Sequence, residues 1–309
     1  MSTASSAQEV RSAAPRRKRF RGWEAQLALA PAWITVVVVY IGTIIWTVQI
    51  SFTNSKTFPQ NDFVGFKQYI RLFKSTRWDT SVENMLIFGA LFIGGCLVLG
   101  FLLAVMIDQR VRAENTLRTI FLYPHAMSFI VTGLIWQWMM NPTLGIQESV
   151  RQLGWESFTF DWVADRNMVM FAVVISAVWQ SAGLIMVILL AGLRGVDDEI
   201  WKASRVDGVA PWRVYLRVVI PLIKPMILTS VVLLAIGSVK VYDLVVALTQ
   251  GGPGISSEVP AKFVMDYLFE RSNIGLATAA STMMLVMVVC VLAPWFYVEY
   301  FRKKRAVNG

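Results

Sequence analysis

Few polar groups stand inside the apolar runs of this chain, and they set what chemistry is open to it. Lys240, Tyr242 and Asp243 fall together in one run, and Trp179, Gln180 and Ser181 near the middle of another. Polar groups inside a membrane are costly and face a cavity or one another. On one continuous helix Lys240 and Asp243, three apart, share a face. There they either neutralise each other or bond the hydroxyls of a solute. An aromatic face beside an amide suits a pyranose ring, whose C–H groups lie on the indole while its hydroxyls bond the amide. Packing is the competing reading for Trp179. Trp136 and Gln137 lie nearer the end of their run, where Trp anchors at the membrane interface. Pro124 loosens the helical ladder, so with His125 it reads as a hinge or inner gate. His125 is the only histidine, and a metal site needs several ligands, so none is expected. Neither a catalytic cluster nor a Gly-x-x-x-x-Gly-Lys-Ser/Thr string is present, so the chain is not expected to be an enzyme or to hold ATP itself.

These residues are positioned by runs too apolar for an ordinary soluble domain. Of the 309 residues 56% are hydrophobic and mean hydropathy is +0.55, against about 45–50% apolar content in soluble domains. The charged 16% fall mostly between the runs. Six runs reach the roughly 20 residues that a bilayer core requires. They lie near Leu27–Ile50, Met85–Ile107, Thr119–Met140, Met168–Leu193, Met226–Leu248 and Ile274–Tyr297. In lipid the backbone must satisfy its own hydrogen bonds, so each is predicted helical. The expected fold is an all-α integral membrane protein of about six transmembrane helices, with a cytoplasmic insert between helices 4 and 5.

Six crossings put both ends on one side. With the termini inside, nineteen Lys and Arg residues fall in inner segments and nine in outer ones, so both termini and the 194–224 loop are expected in the cytoplasm. The net charge of +9 thus reads as a topology signal, and no nucleic-acid partner is expected. The run from Leu27 is too long for a signal-peptide core and reads as a retained helix. Cys96 and Cys290 both fall inside apolar runs, so no disulfide framework is expected. Residues 1–20 read as a disordered basic arm beside anionic headgroups or as a solvated tail. Residues 21–305 form the membrane domain and 306–309 a short tail. Residues 52–82 read as an outer loop with a short surface helix around Phe66–Phe73.

The insert over 194–225 is capped and punctuated. Asp197 and Asp198 suit a helix start, Gly208 a left-handed helix end, and Pro211 the first turn of a second helix. Pro221 and Pro225 break regularity before the fifth run. Two short helices at an angle are predicted, with an exposed turn at Asp207–Ala210. Ile200, Ala203 and Val206 are predicted to form the packed face of the first helix, and Trp212, Tyr215 and Val219 one side of the second. An amphipathic interfacial linker is the competing reading.

The string Lys202-Ala203-Ser204, then Asp207-Gly208, then Pro221 and Pro225 resembles the cytoplasmic coupling motif of importer permeases of the ATP-binding cassette (ABC) family. That motif reads Glu-Ala-Ala, three residues ending in Asp, then Gly, with two later prolines. Lys202 stands here for the Glu and Ser204 for the second Ala. Leu122-Tyr-Pro-His125, Gly133-Leu-Ile-Trp-Gln-Trp138, Asn141-Pro142, Tyr242-Asp243 and Leu248-Thr-Gln-Gly-Gly-Pro-Gly254 are similar to the carbohydrate-importer, maltose-transporter branch. The likeness covers roughly residues 20–305.

The resemblance implies a permease subunit of a sugar importer in the bacterial cytoplasmic membrane, with a second permease subunit as heterodimer partner. It also implies two ATPase subunits that hold ATP and Mg, an extracytoplasmic sugar-binding protein, and the lipid bilayer. Coupling to the ATPases falls to Lys202, Ala203, Ser204, Asp207, Gly208, Val209 and Ala210. A permease for another solute, such as a polyamine or metal complex, is the alternative, and a secondary transporter a more distant one.

Overall fold

A computed structural model describes residues 22–109 and 112–307. The basic arm expected over residues 1–20 lies outside the described residues, as do the last two residues of the expected tail. In chain order the helices are α1 (Gly22–Thr35), α2 (Gly42–Ser51), α3 (Lys67–Phe73), α4 (Thr76–Asp108), α5 (Glu114–Leu122), α6 (Phe129–Met139), α7 (Ile146–Gln152) and α8 (Val169–Leu193). There follow α9 (Asp198–Val206), α10 (Pro211–Val214), α11 (Ile220–Leu222), α12 (Lys224–Val239), α13 (Asp243–Thr249), α14 (Pro260–Met265) and α15 (Ile274–Val307). Among the described residues there is no strand, only one isolated bridge between Thr53 and Phe63.

The chain divides into two compact units, Met1–Trp46 and Thr47–Gly309. In the first, a π-helical turn over Val36–Ile41 joins α1 to α2. The side chains there, including Trp33, Tyr40 and Ile45, are exposed. Outward apolar side chains suit a helix whose solvent is lipid.

The second unit is built on α4 and α8, which pack against each other along much of their length. Their contact surface contributes Phe92, Cys96, Ala104, Ile185, Leu189 and Leu193 to the main core. Small residues let membrane helices approach closely, and Gly183 shows why: a Cβ there would overlap the carbonyl oxygen of Phe121. Only glycine lets α8 pass the end of α5.

Among the described residues, three helices are long and apolar enough to cross a membrane: Gln26–Ile50, Thr76–Asp108 and Val169–Leu193. Two bent pairs raise this to as many as five. Glu114–Ala126 with Phe129–Met139 bends by 99°, and Pro211–Leu222 with Lys224–Val239 by 72°. The sixth expected run is represented by the shorter apolar helix Ile274–Cys290. Three expectations are therefore corrected. The second run begins at Thr76, inside the supposed outer loop, because Trp78, Ser81 and Asn84 are buried and extend the helical face. The third run is two helices, because Tyr123–Ala126 tightens into a 3₁₀ turn and Met127 and Ser128 are extended. The fifth is likewise two, interrupted over Lys240–Tyr242. The short surface helix does form, as α3.

Candidate functional site

The insert lies at the end of the bundle where α4 and α8 finish. Arg194, just past α8, pairs with Glu114 at 2.6 Å and approaches Asp108 at 3.9 Å. Asp197 opens α9 with its carboxylate accepting the Glu199 backbone N–H at 3.0 Å. Asp198 and Glu199 occupy the first turn, where the helix dipole favours negative charge. The N–H of Asp207 donates to the Ala203 carbonyl at 2.9 Å and that of Val209 to the Ser204 carbonyl at 3.0 Å. Gly208 sits at φ +66°, with nothing within 4 Å of a built Cβ. Backbone conformation, not space, is what demands glycine there. Ala210 is extended and Pro211 takes the first position of α10.

One aromatic stack fixes this pair of helices. Trp201 meets Tyr215 edge-on at 5.2 Å, and Tyr215 meets Phe101 of α4 at 6.2 Å. The packed face of α9 is thus Trp201 and Ser204, not Ile200, Ala203 and Val206. Ile200 is half-buried, whereas Ala203 is exposed and Val206 is 88% exposed. The indole offers far more apolar area than Ala or Val, so it takes the inward position. On the second helix Trp212 also faces out, with the Arg213 guanidinium 5.1 Å above its ring. Tyr215 packs inward and Val219 is buried, as expected, and Val214 is buried beside them. A π-helical turn over Tyr215–Val219 advances the buried face by five residues rather than by three or four. Lys202, Ala203, Asp207, Gly208 and Val209 are left exposed together, with Ser204 and Ala210 half-buried. Beneath them a cleft of about 1040 Å³ is lined by charges of both signs, among them Asp108, Glu114, Lys202 and Arg205.

The second region is the interruption between α12 and α13. Lys240 and Asp243 are both exposed and lie on either side of it, so the shared helical face expected of them does not exist. Neither makes an ion pair among the described residues. Val239 and Val241 are buried, and drawing both into the core turns the chain so that α13 packs on α6. Two clefts meet there. One of about 390 Å³ is lined by Phe88, Phe92, Phe129, Lys240, Tyr242 and Asp243 among others. The other, of about 270 Å³, takes Tyr242 and Asp243 with Gln137, Gln250, Ile130 and Leu134. Gln137 and Gln250 were not singled out from sequence as polar lining. Gln250 precedes two glycines and has φ +57°, a turn signal that also marks a side chain projecting from a helix end.

Trp179, Gln180 and Ser181 do not share one surface. Trp179 is 37% exposed and meets Trp136 edge-on at 6.0 Å. Trp136 is therefore part of the core and not an interface anchor. Gln180 and Ser181 are buried. The Gln180 amide donates to the Met127 carbonyl at 2.8 Å, at the bend between the 3₁₀ turn and α6. Pro124 is buried in that turn and His125 exposed on it. Ser128 then caps α6, accepting the Val131 N–H at 3.3 Å. Among the described residues no group of three or more His, Cys, Asp or Glu side chains is placed to hold a metal.

At the opposite end of α4 lies an ion cluster that the sequence reading missed. Arg77 pairs with Glu258 at 2.6 Å and with Asp266, and Lys262 with Asp266 at 2.8 Å. Trp78, Phe263 and Tyr267 enclose it. Asn84 adds a bond to the Glu258 carbonyl oxygen at 2.9 Å. Burial pushes the Glu258 carboxyl above its ordinary 4.5, with Arg77 opposing. The i,i+4 pair Lys262/Asp266 was the one local signal for it.

Comparison with known proteins places this arrangement. Residues 97–305 match the family described as "Binding-protein-dependent transport system inner membrane component". A probable ABC transporter permease of Pyrococcus horikoshii is 34% identical, covering 90% of this chain and 96% of that one. The xylose/arabinose import permease XacH of Haloferax volcanii is 30% identical over 90% and 93%. The trehalose/maltose transport system permease MalF of Thermococcus litoralis is 26% identical over 90% and 94%. Among solved structures, a bacterial ABC transporter involved in import of the acidic polysaccharide alginate superposes with a TM-score of 0.77 at 19% identity, covering 92% of this chain and 96% of that one. That likeness carries the fold. With the family model spanning most of the chain and the sequence relatives nearly all of it, the chain belongs to the family of inner-membrane permease components of binding-protein-dependent transport systems.

Proposed function

We propose that this chain is the membrane permease subunit of an ATP-driven sugar importer. The observation that carries the reading is the insert: a capped, rigid pair of short helices, anchored inward by Trp201 and Tyr215, with its motif residues turned outward. The import permeases for xylose/arabinose and for trehalose/maltose among its relatives support the sugar class. In this reading the chain crosses the bacterial cytoplasmic membrane six times with both termini inside. It pairs with a second permease subunit, two ATPase subunits and an extracytoplasmic sugar-binding protein. The ATPases hold ATP and Mg; this chain holds neither.

Force enters through Lys202, Ala203, Ser204, Asp207, Gly208, Val209 and Ala210. Closure of the ATPases pushes the insert, and the Trp201–Tyr215–Phe101 stack passes that motion to α4. Pro124 and His125, at the bend beside α6, serve as hinge or gate. Solute passes the clefts at Lys240, Tyr242 and Asp243. Trp179 adds an exposed aromatic face, while Gln180 and Ser181 support the wall behind it.

Site-directed crosslinking from Val209 or Ala210 in intact cells tests the coupling. Capture of a nucleotide-hydrolysing subunit is the expected result. Its absence from both positions, with the chain inserted at normal levels, overturns the proposal.

A further inference from the structure

Among the described residues, Asp243 is the only carboxylate on either of the two clefts at the α12–α13 interruption, and it lines both. It is exposed, and no ion pair or side-chain hydrogen bond engages it among the described residues. Among the described residues, Lys240 is the one cation on these clefts, and it lines only the larger. In the smaller cleft the other polar groups are the amides of Gln137 and Gln250, which offer donors and acceptors without charge. Tyr242 stands between the two clefts, an aromatic body with a hydroxyl at its tip.

We infer that these clefts select a neutral polyhydroxylated sugar over an acidic one, with Asp243 as the discriminating residue. The inference rests on the sugar-permease reading. A carboxylate accepts hydrogen bonds from adjacent hydroxyls of a neutral ring, and charge-assisted bonds of this kind are the strong ones. A uronate placed in the smaller cleft brings a second negative charge to the same spot with no cation to offset it. Like charges brought within a few ångströms repel. The fold neighbour that imports an acidic polysaccharide is 19% identical, so its cargo says nothing about this cleft.

The test uses the assembled transporter in lipid nanodiscs, with the extracytoplasmic binding protein left out so that only the membrane clefts discriminate. Equilibrium binding is measured for xylose, glucose and maltose, and for glucuronate as the acidic counterpart of glucose. The wild type is expected to bind glucose at least about tenfold more tightly than glucuronate, a free-energy difference of about 1.4 kcal/mol. Asp243→Asn is expected to bring that ratio within about threefold by weakening glucose and admitting glucuronate. Should Asp243→Asn fail to assemble, Lys240→Met probes the same clefts from the opposite charge: the ratio widens if the inference holds and stays put if it does not. A wild type that prefers glucuronate, or an Asp243→Asn variant with an unchanged ratio, overturns the inference alone. An intact complex that binds none of the sugars overturns the sugar reading and the inference together.

Discussion

One amide bonds the bent third segment to its neighbour. Gln180 reaches from α8 to the Met127 carbonyl, a group that would otherwise lack a helical partner at the bend. Three residues further along α8, Gly183 leaves room for the Phe121 carbonyl. The two contacts dock α8 onto the turn that carries Pro124 and His125. Gly183→Ala is therefore expected to destabilise the protein by about 1–3 kcal/mol, the usual cost of forcing extra volume into a packed contact. Gly94→Ala is the control, because nothing lies within 4 Å of a Cβ there. Thermal unfolding of the two variants in detergent checks this: Gly183→Ala should melt lower than wild type and Gly94→Ala should not. The composition of residues 179–181 was legible in sequence. Which of the three faces inward was not, because a helix in lipid shows little polar–apolar contrast between its faces, and neighbouring helices decide which face they cover.

At the scale of elements, caps and breakers were the readable part. The start at Asp197, the left-handed Gly208 and the opening Pro211 all stand where local chemistry puts them. The packed face of the first insert helix was misjudged, since a periodicity argument weighs Ala203 and Val206 like any apolar residue; on the second, Tyr215 and Val219 do face inward and only Trp212 departs. The ion cluster at the other end showed only its i,i+4 pair Lys262/Asp266, for a different reason. Arg77 is far in the chain from Glu258, Lys262 and Asp266, and only folding brings it to them. Its Glu258 supplies a pH prediction. The native protein holds the Glu258 proton to higher pH than the unfolded chain, whose value is near 4.5. The resulting stabilisation is complete below that value and fades as pH rises through the raised one. Denaturant unfolding from about pH 4 to pH 8 is expected to show stability falling over the lower part of that range, and Glu258→Gln to flatten the fall. Equal slopes in the two proteins would assign the effect to other groups.

Across the whole molecule, the bias of basic residues makes a topological prediction. A single cysteine at Val209, in a background with Cys96 and Cys290 replaced, is expected to react with a membrane-impermeant maleimide only from the cytoplasmic side. One at Phe58, exposed in the segment before α3, should react only from the outside. Reversal of both would invert the orientation while leaving the fold untouched.

Class and family were written in the chain itself: apolar runs of spanning length, basic residues biased to one side, and a capped insert with Asp207, Gly208 and two later prolines. These are local or additive signals, and they survive without knowledge of any contact. Where the third and fifth runs break, which side of each insert helix is covered, and which polar groups meet at the Asp243 clefts were settled by tertiary packing. Each depends on the area buried between segments distant in sequence, such as α6 against α13 or α4 against α8, and hydropathy along one segment carries no information about its neighbour.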